Sequence, residues 1–238
     1  MPETIDLTAA RERLIVALDV PTVDEASDLV DHLGDDVTFY KVGLELVMQG
    51  GMAFVQQLKA RGNKVFLDVK FLDIDTTVEK ATANAARSGA DFVTVHGVDR
   101  KTIAAARRGA AGTDLKILGV TVLTSLDDAD LKEQRINTGA KDLVLHRAKL
   151  CVAAGADGVI ASGQEAGAVR RALGPDALII TPGIRLPGDD VADQARVATP
   201  DSAIGDGATH IVVGRPITKA PDPKSAAMTF VKRIAGAL

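Results

Sequence analysis

Eight short runs of aliphatic and β-branched residues recur along the chain at nearly even intervals, and this repeat constrains the fold more than any other feature. They are Leu14–Leu18, Thr38–Val42, Lys64–Val69, Phe92–Val95, Ile117–Val122, Gly158–Ala161, Ala177–Ile180 and His210–Val213. Most are apolar without alternation, as expected of parallel strands covered on both faces. Between them, in stretches such as Val23–Leu33 and Asp142–Val152, apolar residues return every three or four positions, the spacing of amphipathic helices. Glycine then punctuates the step into the next strand at Gly89-Ala90-Asp91, Gly155-Ala156-Asp157 and Gly207-Ala208-Thr209, and Gly62 plays the same part before Asn63. Eight units in 238 residues come to about 30 residues each, the size of a βαβ repeat. The expected fold is α/β, a (β/α)8 TIM barrel forming a single domain over residues 1–238. A doubly wound open sheet is the alternative, but it rarely needs eight even units, and no G-x-G-x-x-G opens the first helix.

Charge and composition exclude several functions. The chain has 28 basic and 32 acidic residues, net −4, and no basic run. A phosphate-backbone binder driven by bulk charge would show a clustered basic face, so no nucleic-acid partner is expected. Aromatic residues make up only 3% of the chain, too few for a base-stacking platform. The lone cysteine, Cys151, allows no internal disulfide and suits a reducing compartment. Met1–Asp6 lacks the basic and apolar regions of a signal peptide, and no apolar stretch reaches about 18 residues. The expectation is a cytoplasmic protein without a membrane span.

In such a barrel the active site lies at the carboxyl ends of the strands. Polar residues stand there in this chain: Asp19, Lys41, Asp68, Lys70, His96, Thr124, Ser125, Ser162, Thr181, Gly214 and Arg215. Strand ends meet solvent, so no one of these carries weight alone. The third strand is different. Asp68 and Lys70 are two apart and share a face, while Leu67, Val69 and Phe71 point to the helix layer. That directs a charged pair into the barrel, where unpaired charge is costly. Lys41 adds a second cation on the neighbouring strand and Asp73 a second carboxylate. Strongly coupled charges of this kind concentrate at active sites.

A phosphate site is expected after the last two strands. Gly214 lets a ligand approach the backbone and Arg215 offers a bidentate donor. The segment from Pro182, a loop at about residues 182–198, is far longer than the usual 2–6 residues and carries Arg185 and Gln194, both suited to oxyanions. Its proline and glycine content suits a movable lid. His32, His96, His146 and His210 show no metal-ligand spacing, and Cys151 falls on an apolar helical face.

The stretch Asp68-Val69-Lys70-Phe71-Leu72-Asp73-Ile74 resembles the D-x-K-x-x-D-I signature of the orotidine 5′-phosphate decarboxylase family. The likeness runs along the whole chain, through Leu18-Asp19, Tyr40-Lys41-Val42-Gly43, Val120–Ser125, Thr181–Arg185, Asp193-Gln194, Val197–Pro200 and Val213–Thr218. It implies decarboxylation of orotidine 5′-phosphate to UMP and CO2, the last step of UMP synthesis, with no metal and no organic cofactor. It also implies that Lys70 is the proton donor to C6 of the pyrimidine and that Asp68 lies beside the substrate carboxylate. By the same likeness Lys41 and Asp19 bind ribose hydroxyls, Thr124 and Ser125 meet the base, and Arg185, Gln194, Gly214 and Arg215 hold the phosphate. Asp73 and Thr77 would reach into the partner's site, making the enzyme a homodimer. The chain departs from the family pattern twice: Leu72 stands in place of a histidine and Asp75 in place of a proline. Three rivals share part of the pattern. A magnesium-dependent sugar-phosphate decarboxylase or synthase would place an acidic ligand where Lys41 stands. A Schiff-base aldolase would use Lys70 as nucleophile, and a phosphate sensor would need the grip but not the buried charges.

Overall fold

The computed structural model describes residues 7–187 and 197–238. The eight apolar runs form eight strands: β1 (Leu14–Ala17), β2 (Phe39–Gly43), β3 (Lys64–Phe71), β4 (Phe92–His96), β5 (Lys116–Val120), β6 (Gly158–Ile160), β7 (Leu178–Thr181) and β8 (His210–Val213). Each pairs in parallel with its sequence neighbours, and β8 closes on β1, with Ile15 beside Val212. The expected closed barrel is therefore the fold. Its outer layer includes helices Val23–Leu33, Met52–Ala60, Asp75–Arg87, Arg100–Gly109, Ala140–Ala153, Ala166–Leu173, Pro200–Gly205 and Pro223–Ala235. The first coincides with the span read from its apolar spacing, and its start is fixed by the Thr22 hydroxyl, which accepts a hydrogen bond from the Glu25 amide at 3.2 Å.

Alternation along the strands separates two cores. Outward residues such as Leu14, Val16, Val65, Leu67 and Val93 pack under the helices. Inward residues Ile15, Ala17, Phe39, Phe66, Phe92, Leu118, Ile180 and Val212 fill the barrel. Three of the chain's six phenylalanines lie in this inner cluster. At its base the Phe39 and Phe92 rings meet edge-on at 5.1 Å, and the His210 ring stands edge-on to them at 5.8 and 5.3 Å. Burial pushes His210 down from 6.5 to about 4, helped by the positive charges of Arg13 and Lys64. Directly above this apolar floor lies the ring of charged strand ends.

The glycine steps do two things. Gly62, Gly89, Gly155 and Gly207 take φ of +83°, +84°, +104° and +99°, which a residue with a Cβ adopts only at a cost. Two residues after the last three, Asp91, Asp157 and Thr209 accept hydrogen bonds from the amides of Val65, Ile117 and Ile179 at 2.7, 2.8 and 3.0 Å. Each thus ties its own strand's entry to the strand before it. Asp75 opens the helix Asp75–Arg87. An acid in a first turn complements the helix dipole, so the loss of a proline there keeps the helix start.

Candidate active site

The charges converge at the carboxyl end of the barrel. Lys41, at the middle of β2, places Nζ 2.7 Å from Asp19 Oδ1 and 3.7 Å from Asp68 Oδ2. Lys70 places Nζ 2.8 Å from Asp68 Oδ1. Asp68 is thus held between two ammonium groups. Its side chain is 14% exposed and that of Lys41 10%, whereas the outermost carboxylate, Asp19, is 55% exposed. Burial by itself would raise the Asp68 pKa. The charges of Lys41 and Lys70 and hydrogen bonds from Lys70 and Thr94 outweigh it and hold the carboxyl below the usual carboxylate range.

Lys70 reaches this position through an irregularity in β3. Leu67 pairs with Val93 and Phe71 with Val95, so the register between β3 and β4 slips within this stretch. Lys70 itself sits at φ +50°, a left-handed conformation that costs about 1–3 kcal/mol for a residue with a side chain. Its amide donates to Thr94 Oγ1 at 2.9 Å, and the same hydroxyl donates to Asp68 Oδ1 at 2.9 Å. Gly43 completes the cluster by being small. A Cβ there would lie 2.9 Å from Lys41 Nζ and 3.0 Å from Asp19 Oδ1.

Asp19, Lys41, Gly43, Asp68 and Lys70 line one wall of a cavity of about 550 Å3, within the usual range for small-molecule sites. Its floor includes Ala17, Phe66 and Val212, and Val120, Val122, Leu123 and Ile160 give it an apolar flank. Thr124 stands at that flank, and Pro182, Gly183, Arg185, Gly214 and Arg215 complete the rim. Most of the expected site residues are therefore brought together. Ser125, beside Thr124, is exposed and does not line the cavity. Asp73 and Thr77 are exposed and lie outside it too, and Asp73 accepts from the Ile74 amide at 2.6 Å. The second carboxylate of the cluster in this chain is Asp19. Gln194 lies outside the described residues, as does the stretch 188–196 of the long loop. Thr94 and Gly43 join the cluster from outside the expected site residues; the sequence signal for Thr94 is a hydroxyl at an inward strand position level with Asp68.

Cys151 and His96 stand outside the cavity lining. Cys151 is fully buried, with Sγ filling the space that a Cβ on Gly97 or Gly119 would need, and burial pushes its thiol up to about 12. His96, half-buried at the end of β4, is shifted down by burial and by the charges of Lys70 and Arg147. Among the described residues no group of three His, Cys, Asp or Glu side chains is placed to hold a metal ion, and no helix is long and apolar enough to cross a membrane.

The family model described as orotidine 5′-phosphate decarboxylase / HUMPS matches residues 12–230. The chain belongs to this family. Among its relatives is the orotidine 5′-phosphate decarboxylase of a Bradyrhizobium species, 50% identical over 230 residues, covering 97% of this chain and 94% of the relative. The protein of the same name from a Methylobacterium species is 51% identical over 230 residues, covering 95% of this chain and 97% of that one. The solved orotidine 5′-phosphate decarboxylase of Lactobacillus acidophilus superposes with a TM-score of 0.83 at 39% identity, covering 93% of this chain and 98% of its own. An uncharacterized conserved protein from Geobacillus kaustophilus gives 0.81 at 34% identity, covering 93% and 99%.

Proposed function

We infer that the chain decarboxylates orotidine 5′-phosphate to UMP and CO2, and that the charged wall of the cavity carries the chemistry. The observation that carries this reading is Asp68 held between Lys70 Nζ at 2.8 Å and Lys41 Nζ at 3.7 Å, above an apolar floor. When the bond from C6 to the carboxylate breaks, its electron pair stays on a ring carbon. An ammonium already in place stabilises that charge without reorganising. Lys70 then gives C6 its proton and recovers one from solvent, a general-acid role. Asp68, kept ionised by its cationic neighbours, orients Lys70 and lies beside the departing carboxylate.

Of the residues in the other assignments, Lys41, Asp19, Thr124, Arg185, Gly214 and Arg215 line the cavity. Lys41 and Asp19 take the ribose hydroxyls, and Thr124 and Ser125 face the base. Arg185, Gly214, Arg215 and Gln194 take the phosphate, with the loop at about residues 182–198 closing over it. The phosphate lies far from the bond that breaks, so its binding energy is available to close the site. A second subunit supplies Asp73 and Thr77. Supporting this, the exposed apolar residues Leu72 and Ile74 flank Asp73 in the sequence after β3, and Met48 is exposed after the neighbouring strand β2, as on a face that meets a partner. The reaction belongs to the cytoplasm, where a lone buried thiol stays reduced.

A magnesium-dependent synthase is disfavoured because Lys41, 3.7 Å from Asp68, would repel a divalent cation at that carboxylate. The test is to incubate the purified protein with orotidine 5′-phosphate in excess EDTA and follow the fall in the substrate's ultraviolet absorbance. Turnover equal to that without chelator is expected. No loss of absorbance, or loss only with added magnesium, overturns the reading.

A further inference from the structure

Thr94 lies in the middle of β4 and is completely buried on the barrel side, one layer above Phe92. A hydroxyl in such surroundings is unfavourable unless its hydrogen bonds are satisfied. Its oxygen accepts from the Lys70 amide at 2.9 Å and donates to Asp68 Oδ1 at 2.9 Å. A backbone N–H can only donate, so the oxygen must turn a lone pair toward Lys70, and its single proton is directed to Asp68. The receiving atom, Asp68 Oδ1, is the same one that holds Lys70 Nζ at 2.8 Å. One hydroxyl is thereby tied to the backbone of Lys70 and, through Asp68, to the head of the same side chain.

We propose that Thr94 is the positioning residue for proton delivery, setting the angle of the Asp68 carboxylate and anchoring the left-handed Lys70 backbone. The inference rests on the proton-donor reading above. The register slip between Leu67 and Phe71 deprives Lys70 of a regular ladder partner on β4. The bond to Thr94 replaces it and helps hold φ at +50°. Valine has the shape of threonine but neither donor nor acceptor. Serine keeps both and lacks only the methyl group.

The test compares Thr94→Val and Thr94→Ser in steady-state assays over pH, with thermal melts as a check on folding. A hydrogen bond to a charged group is worth about 10- to 100-fold. Thr94→Val is therefore expected to lose about that factor in kcat with KM within about threefold, while Thr94→Ser stays within about threefold in both. The hydroxyl helps keep Asp68 ionised among Lys41, Lys70 and His96, so the acid limb of kcat/KM should move to higher pH in the valine variant only. A valine variant with near wild-type kcat and an unmoved acid limb overturns the proposal. A folded serine variant losing tenfold or more in kcat also overturns it, because packing of the methyl group would then be what matters, and this arm decides even if the valine variant does not fold. If Lys70→Ala is inactive while Thr94→Val is not, only the role of Thr94 fails; if Lys70→Ala is active, the proton-donor reading fails first.

Discussion

Replacing Gly43 by alanine adds one methyl group where the charge cluster has no room for it. The new carbon would stand 2.9 Å from Lys41 Nζ and 3.0 Å from Asp19 Oδ1, where optimal non-bonded separations are about 3.5–4.0 Å. Both polar atoms must retreat by about 0.5 Å or more. The backbone itself accepts alanine, since φ is −94° and ψ 178°. The atoms displaced are the ends of flexible side chains, and Asp19 is half exposed, so their ion pair contributes little to stability. The melting temperature should therefore move by no more than about 2–4 °C. Catalysis should suffer far more, because displacing a positioned group by about 1 Å can cost about 100-fold. We expect kcat/KM for orotidine 5′-phosphate to fall by about 10- to 100-fold in Gly43→Ala, measured by initial rates of absorbance loss beside a thermal melt. A variant with wild-type kcat/KM would refute the steric role of Gly43 and the need for Lys41 to stay against Asp19.

Three further outcomes are expected. Arg215→Ala should lower kcat/KM by several orders of magnitude with a milder effect on kcat, because remote phosphate contacts act mainly through binding and closure; equal losses in both would count against a phosphate role. Mixing inactive Lys70→Ala and Asp73→Ala proteins should restore up to about a quarter of wild-type activity if sites are shared, since half the dimers are then hybrids with one intact site each; no recovery under conditions that exchange subunits would remove Asp73 from the partner's site. The third concerns pH. His210 has a folded pKa of about 4 against an ordinary 6.5, so as pH falls the unfolded chain takes up a proton that the folded one declines. Stability from this group is complete above pH 6.5 and is lost down to about pH 4, about 2 kcal/mol of it between pH 7 and about pH 5. Urea midpoints at the two pH values should show that loss, and His210→Leu should lack it.

The barrel was legible because its strands are buried on both faces, which leaves continuous apolar runs, and because glycine marks the helix ends. Alternation also carried Asp68 and Lys70 to the inward face. It did so despite a complication invisible in the sequence, since nothing in Val69-Lys70-Phe71 announces a left-handed lysine. Short helical turns such as Leu44–Leu46, Asp128–Glu133 and Arg215–Thr218 escaped as well, being too brief to show a period. Thr94 sat inside a run read only as a β-former, and Gly43 matters for what its missing side chain leaves room for. Both roles depend on neighbours supplied by other strands. Asp73 is the instructive case: charge pattern alone grouped it with Lys41, Asp68 and Lys70, yet within one chain Asp19 completes the cluster, and Asp73 faces outward where a second subunit could use it.

The most direct measurement is turnover by Lys70→Ala. The ammonium at residue 70 is held 2.8 Å from Asp68 at the cavity wall, and no other described group is assigned to protonate the ring carbon. The folded variant, with a melting temperature close to that of the parent, should release no detectable CO2 from orotidine 5′-phosphate and yield no UMP. Activity near the parent's would contradict the assignment and send the search for the proton donor elsewhere in the barrel mouth.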